Sequence, residues 1–431
     1  MNTVHLSQIC RIGCLVVAAL LCTIGTAWPA APPLTVPLGS PDFRPTPRRP
    51  FGWRGDGNGR FPGATPVTEW SATRNVRWST VVGSSYSSPI LTEKCAVVTA
   101  EPNFVVCVDR ADGKQRWKVA VRPADLGDAK SRAAAEKYKP PEAGAGMVAA
   151  TPVTDGATIY ALLANGILAA IDLDGKPKWT AFVDARRTPG YGRSASPILS
   201  AGKLIVHMTS LYAFDPATGK QLWMNDDAKS NYGTPLGLKI GGVELIVTAA
   251  GDVVRAADGT SVNSAIGQSF HASPIVHDDL VYFGEGSVAA VRLNARFKDK
   301  ELWNQMLPGD VFGSPLLHDG LLFLATGKGE LYAFDASDKG LADPVIAARP
   351  LFDSGSPGGG SATPIAYASI TLAGKNLFLN SNQGDIVVLE AAREAKQVAK
   401  NHLPDGSGAT PVFSGSDMFL RDGNKLFCIG R

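Results

Sequence analysis

The chain alternates short apolar runs with turn-forming residues in a phrase that recurs. "LYAFDPATGKQLW" (211–223) is an apolar run, a turn holding Asp215 and Gly219, and a second run ending on Trp223. "CVDRADGKQRW" (107–117) and "AIDLDGKPKW" (170–179) repeat it. The runs "LYAF" (331–334), "IVVL" (386–389) and "LAAI" (168–171) do not alternate with polar residues. Continuous apolarity predicts strands covered on both faces. The turn glycine takes positive φ at little cost, which predicts a tight hairpin.

A second phrase, two small residues, proline and an apolar residue, marks each copy. It falls at Pro89, Pro152, Pro197, Pro235, Pro274, Pro315, Pro364 and Pro411, in steps of 63, 45, 38, 39, 41, 49 and 47 residues. Between two such prolines stand four strand signals: "SPIL" (196–199), "LIVHM" (204–208), "LYAFD" (211–215) and "KQLW" (220–223). A period near 40 with four strands predicts propeller blades. The last copy, "NKLFCIGR" (424–431), stops after its third strand, and "NVRWST" (75–80) is a spare fourth strand ahead of the first copy. Trp78 stands 11 residues before Pro89, as Trp223 and Trp303 stand 12 before their next proline. The expected fold is therefore all-β: an eight-bladed β-propeller of four-stranded antiparallel blades over 70–431. An N-terminal strand in the C-terminal blade closes it and leaves no open sheet edge.

Trp78, Trp117, Trp179, Trp223 and Trp303 fall in outermost strands, where regular spacing predicts packing between blades. Blade four has Val262 near that place and blades six and seven lack the tryptophan, so looser edges are expected there. Two long connections break the period. The insertion 118–148 carries the helix-forming "ADLGDAKSRAAAEKYK" (124–139), and "DSGSPGGGS" (353–361) has linker composition. Each joins an outer strand to the next inner one, so both should decorate one face.

Composition adds boundaries. Arg11, the apolar stretch Ile12–Ile24 and the small run Gly25-Thr26-Ala27 predict a signal peptide over 1–27, hence export to the periplasm or beyond. The stretch is short for a membrane span, and Pro29, Pro32 and Pro33 follow it. Bulky Leu21 before Cys22 argues against a lipid anchor, which leaves peripheral association as the route to a membrane. Residues 28–69 read as a Pro/Gly-rich extended arm whose Arg44, Arg48, Arg49 and Arg54 suit an acidic partner, with a solvated linker as the favoured reading. Cys95, Cys107 and Cys428 remain after cleavage, form no CxxC, and read as small buried apolar residues. A net charge of +3 with both signs mixed gives no electrostatic case for nucleic acid.

The D-x-x-T-G-K-x-x-W phrase of Asp215–Trp223 and the recurring S-P-I/V resemble the PQQ-like repeat family, across 70–431. "FGWRGDGNGRFPG" (51–63) and "TEWSATRNVRWST" (68–80) are similar to the start of exported PQQ-like propellers of planctomycete-type bacteria. The eight-blade plan is similar to the propeller lipoproteins of the outer-membrane barrel-assembly machine. That resemblance implies docking of other proteins. The wider superfamily also contains quinoprotein dehydrogenases, whose site needs a vicinal cysteine pair or equivalent wall, a stacking inner-strand tryptophan, and a carboxylate base beside calcium ligands. The sequence shows none of these, and no CxxCH, HExxH, GxSxG, GxxxxGK[ST] or GxGxxG. His207, His271, His277, His318 and His402 fall at unrelated offsets and read as structural or surface residues; "GDGNG" (55–59) reads as a turn.

What remains is geometry. Residues three places before each marker proline should ring the axial funnel: Tyr86, Ala149, Ser194, Tyr232, His271, Phe312, Ser361 and Gly408, with Arg193 and Asn231 one place earlier. Of these, Tyr86, Arg193, Asn231, Tyr232, His271 and Phe312 are the candidate ligand-binding residues, a mixed aromatic and polar mouth for a peptide or small ligand. The expected function is that of an exported, non-enzymatic, monomeric protein-binding scaffold with protein partners and no cofactor. A PQQ-dependent oxidoreductase using PQQ and calcium, and a carbohydrate-binding propeller, are the alternatives.

Overall fold

The computed structural model describes residues 36–142, 144–185, 188–228, 232–337, 344–352 and 365–431. They form eight antiparallel four-stranded blades in a closed circle, one blade carrying a fifth strand. Blade three shows the plan from axis to rim: Ile198–Ser200, Lys203–His207, Leu211–Phe214 and Gln221–Asn225. The apolar runs of these third strands are buried, as their unbroken apolarity requires.

The recurring phrase now has a physical account. In the blade-three hairpin the Asp215 carboxylate accepts the N–H groups of Ala217 and Thr218, and the Gly219 N–H donates to the Asp215 carbonyl. Gly219 sits at φ +72, and a Cβ there would stand 2.5 Å from the Trp179 ring of the preceding blade. Gly113 and Trp78, Gly175 and Trp117, and Gly259 and Trp223 make the same contact. Each tryptophan also donates its indole N–H to a carbonyl of the next blade: Trp78 to Arg110, Trp117 to Leu173, Trp179 to Pro216, Trp223 to Ala256 and Trp303 to Ser337, at 2.9–3.2 Å. The motif is thus a staple between blades: the glycine clears space for the neighbour's ring, and the ring fastens the turn.

The termini close the circle in blade eight, where strand Val76–Val81 pairs antiparallel with Lys425–Ile429 and Trp78 lies opposite Cys428. At this seam Arg421, 1% exposed, donates to the carbonyls of Ser87, Gly83 and Thr99 in blade one and its entry loop. Burial pushes its pKa down to about 10.

Three expectations change. First, blade seven has no marker proline. In the other blades the inner strand starts one residue after the proline, but in blade seven Thr371–Ala373 follows Ile370. Pro364 and Ser361 lie outside the described residues, and the register shifts six places to "SIT" (369–371). Second, blade seven's edge is not loose. Buried Trp70 stacks on Phe378 at 6.3 Å, and its backbone N–H donates to the Asn401 side-chain oxygen, so an upstream aromatic packs on the blade whose own position holds Ala399. Third, the arm is not a solvated linker. Phe51 exchanges two backbone hydrogen bonds with Thr154 of blade two, and Arg60–Phe61 adds a parallel strand to the inner edge of blade seven. Gly39 and Thr65 bond Gly415 of blade eight. Leu38, Phe51 and Phe61 are buried, and Phe61 packs on Phe413 at 5.3 Å. Apolar burial and edge pairing outweigh the high Pro/Gly content that suggested an exposed linker. The arm therefore runs across the face of the inner hairpin turns, bonding blades two, six, seven and eight.

Candidate funnel site

The opposite end of the axis is an open funnel of about 610 Å³. One Ser or Thr from each blade forms its lower wall, two positions before the first residue of the inner strand. Their backbone N–H groups donate to the hydroxyl oxygen of the next blade. Ser88 donates to Thr151, Thr151 to Ser196, Ser196 to Thr234 and Thr234 to Ser273. Ser273 then donates to Ser314, Ser314 to Ser369, Ser369 to Thr410, and Thr410 back to Ser88. The N···O distances are 2.7–3.1 Å, and the circuit is unbroken. This is why a small hydroxyl residue precedes the proline: it has the reach to accept from its neighbour, and the following Pro or Ile needs no N–H there.

Above this ring lie the side chains that the proline spacing places at the mouth. Tyr86, Ala149, Ser194, Tyr232, His271, Phe312 and Gly408 all line the funnel. Tyr232 and His271 are stacked, with centroids 5.3 Å apart and planes 2° apart. Phe312 meets His271 at 4.9 Å and Tyr367 at 5.0 Å. Tyr191 and Phe270 extend the belt, with Tyr191 centroids 6.0 Å from Tyr232 and Phe270 4.8 Å from His271. The result is a continuous aromatic crescent over one side of the mouth, with Tyr86 as a further exposed ring in the funnel wall.

Glu285 holds the crescent's centre. One carboxylate oxygen is 3.1 Å from His271 Nδ1, and the other accepts the N–H groups of Phe270 and His271 at 2.6 and 3.0 Å. Burial pushes the carboxyl up, but the histidine and the two backbone donors outweigh it and leave the pKa below the ordinary value. An ionised Glu285 accepts from Nδ1–H, which fixes the tautomer of His271.

Two candidate residues stand differently. The Arg193 side chain bonds the carbonyls of Ala164 and Ala185 and the Thr188 hydroxyl, and stacks over Tyr138 of the blade one–two insertion at 4.5 Å. It therefore braces the wall and is not a funnel-lining group, since its neighbours supply acceptors and a ring that water would otherwise replace. Asn231 lies outside the described residues.

The sequence of the repeat matches the family described as outer membrane protein assembly factor BamB, over residues 70–296 and 249–342. The chain belongs to this family of PQQ-like repeat β-propellers. None of the curated proteins matches it in sequence. Among solved structures, BamB from Moraxella catarrhalis is similar at a TM-score of 0.56 and 12% identity, covering 82% of this chain and 96% of that one. The quinohemoprotein alcohol dehydrogenase from Comamonas testosteroni is similar at 0.58 and 11% identity, covering 88% and 81%. A computationally designed protein, Ika8, reaches 0.54 at 10% identity, covering 81% and 98%. At these identities the likeness concerns the fold, which scaffolds, enzymes and designed chains share.

The residues of this BamB-like funnel do not fit a quinone–calcium centre. Among the described residues no three His, Cys, Asp or Glu side chains are placed to hold a metal ion. Among the described residues Asp310 is the one acidic lining residue, and no cysteine lines the funnel. Cys95, Cys107 and Cys428 are buried in blades one and eight.

Four aromatic lining residues escaped the spacing argument. Tyr191 and Phe270 sit in the loops ahead of the inner strands, and Tyr367 was hidden by the misplaced marker in blade seven. "YASI" (367–370) carries the phrase with isoleucine in place of proline, which was the available signal. Trp53 comes from the arm and lines both the funnel floor and a cleft on the far face. No local pattern announces it.

Proposed function

We propose that the protein is an exported scaffold whose funnel face docks polypeptide segments. The observation that carries this reading is the aromatic crescent: Tyr191 is 59% exposed, Tyr367 44% and Phe270 39%, converging on one cavity. Exposed rings gathered over a concave site mark a recognition surface, because each gains apolar burial only when something covers it. The rings stand on inner-strand entries braced by the hydroxyl circuit, so little ordering entropy is lost on binding. Membership of the BamB family and the signal-like N-terminus support export and protein docking.

The test is binding of an immobilised peptide array to the purified protein, with Tyr232→Ala as the comparison. We expect a subset of extended, apolar-containing peptides to bind, and the variant to lose about tenfold or more, as removal of a central aromatic anchor does. Exposed rings also suit sugar faces, so an oligosaccharide panel runs beside the peptides. Retention of sugars with no peptide bound would replace this reading.

A further inference from the structure

The funnel floor is built to donate. Each ring hydroxyl uses a lone pair to accept its neighbour's N–H and still carries its own proton. Among the described residues, none of those eight protons has a protein acceptor, and all eight residues line the funnel. A hydroxyl that already accepts a hydrogen bond is polarised toward giving one.

A second observation lies just beneath. Arg54 of the arm is completely buried, and its guanidinium stacks on Trp53, the floor residue, at 5.3 Å. Its Nη2 donates to the carbonyls of Pro315 and Ile370, the residues that follow Ser314 and Ser369 of the ring. Its Nε and Nη1 have no acceptor among the described residues. Burial lowers the pKa to about 9, with Asp56 acting in the opposite sense. A buried cation so poorly compensated makes the space above it favourable for an anion. Asp310, the acidic lining residue among those described, is exposed to solvent, which screens its charge.

Trp53 of the arm lines the floor, so a chain entering from the mouth meets its indole beneath the ring, and a chain end fits there more simply than a through-going segment. Resting on the docking reading above, we propose that the funnel receives the free C-terminus of a polypeptide, its carboxylate on the hydroxyl ring over Arg54 and its last apolar side chains on the aromatic crescent.

Three pentapeptides test this by calorimetry: Ala-Ser-Gly-Ala-Tyr as the free acid, the same sequence amidated, and an amidated version with an internal aspartate. The free acid should bind about tenfold or more tightly than either amide, the usual advantage of a charge-assisted donor set, and the preference should shrink with added salt. Arg54→Met should reduce the preference, and Arg54→Lys should keep part of it. If Arg54→Met does not fold, the wild-type comparison decides alone. Equal binding of acid and plain amide would overturn the carboxylate assignment while leaving peptide docking intact. Equal binding of the acid and the internal-aspartate amide would overturn the chain-end assignment. Binding of none of the three, with the array also empty, would overturn the docking reading itself.

Discussion

Removing the clearance between a turn glycine and its neighbour's tryptophan gives the sharpest test of how the blades hold together. Gly259 of blade four sits at φ +79, and an added Cβ would stand 2.7 Å from the Trp223 ring. Gly259→Ala should therefore cost in two ways: about 1 kcal/mol for alanine at positive φ, and about 1–3 kcal/mol for displacing a packed ring. Gly202 isolates the first cost. It has φ +71 and nothing within 4 Å of its hypothetical Cβ, so Gly202→Ala should cost only about 1 kcal/mol. Trp223→Ala removes a ring that is 9% exposed and its bond to the Ala256 carbonyl, about 3–5 kcal/mol. In the double variant the collision is gone. Gly259→Ala should then cost no more than the Gly202 control, leaving a coupling of about 1–3 kcal/mol. Urea unfolding followed by far-UV circular dichroism measures the wild type and all four variants without relying on the tryptophan signal. Additivity within about 0.5 kcal/mol would refute the staple.

Other consequences are as direct. His207 is buried, and burial lowers its pKa from 6.5 to about 4, with the Ala228 backbone acting weakly in the opposite sense. The unfolded chain then binds the proton more readily, so stability is full above about pH 6.5 and falls on acidification toward pH 4, by about 3 kcal/mol. His207→Leu should flatten that part of a urea-midpoint against pH curve. Arg421→Met should leave the Ser87, Gly83 and Thr99 carbonyls without their donor and cost at least about 2 kcal/mol. Hydrogen exchange should then show strand Val76–Val81 opening first, and unchanged protection there would contradict the seam assignment. Glu285→Gln keeps the shape but loses the charge that orients His271. Peptide affinity should fall several-fold with the melting temperature nearly unchanged, and equal losses in both would mean Glu285 is merely structural.

The sequence by itself determined the blades, because each is a local unit. Apolar runs, the Asp-x-x-x-Gly hairpin and the proline spacing act over some 40 residues, and a strand missing at one end matched by a spare at the other dictates closure. The same spacing brought Tyr86, Tyr232, His271 and Phe312 to one mouth, since equivalent positions in a circular repeat must share an axis. What it could not determine were the contacts between residues far apart in the chain. Only the tertiary structure decided that Trp53 and Arg54 lie under the funnel, where Arg54 meets carbonyls 261 and 316 residues away. The same holds for Trp70 standing in for blade seven's missing tryptophan and for Arg193 turning into the wall. The arm has no period, so its place depends on which inner edges and apolar gaps the finished circle leaves open. Those exist only after every blade has packed against its neighbours.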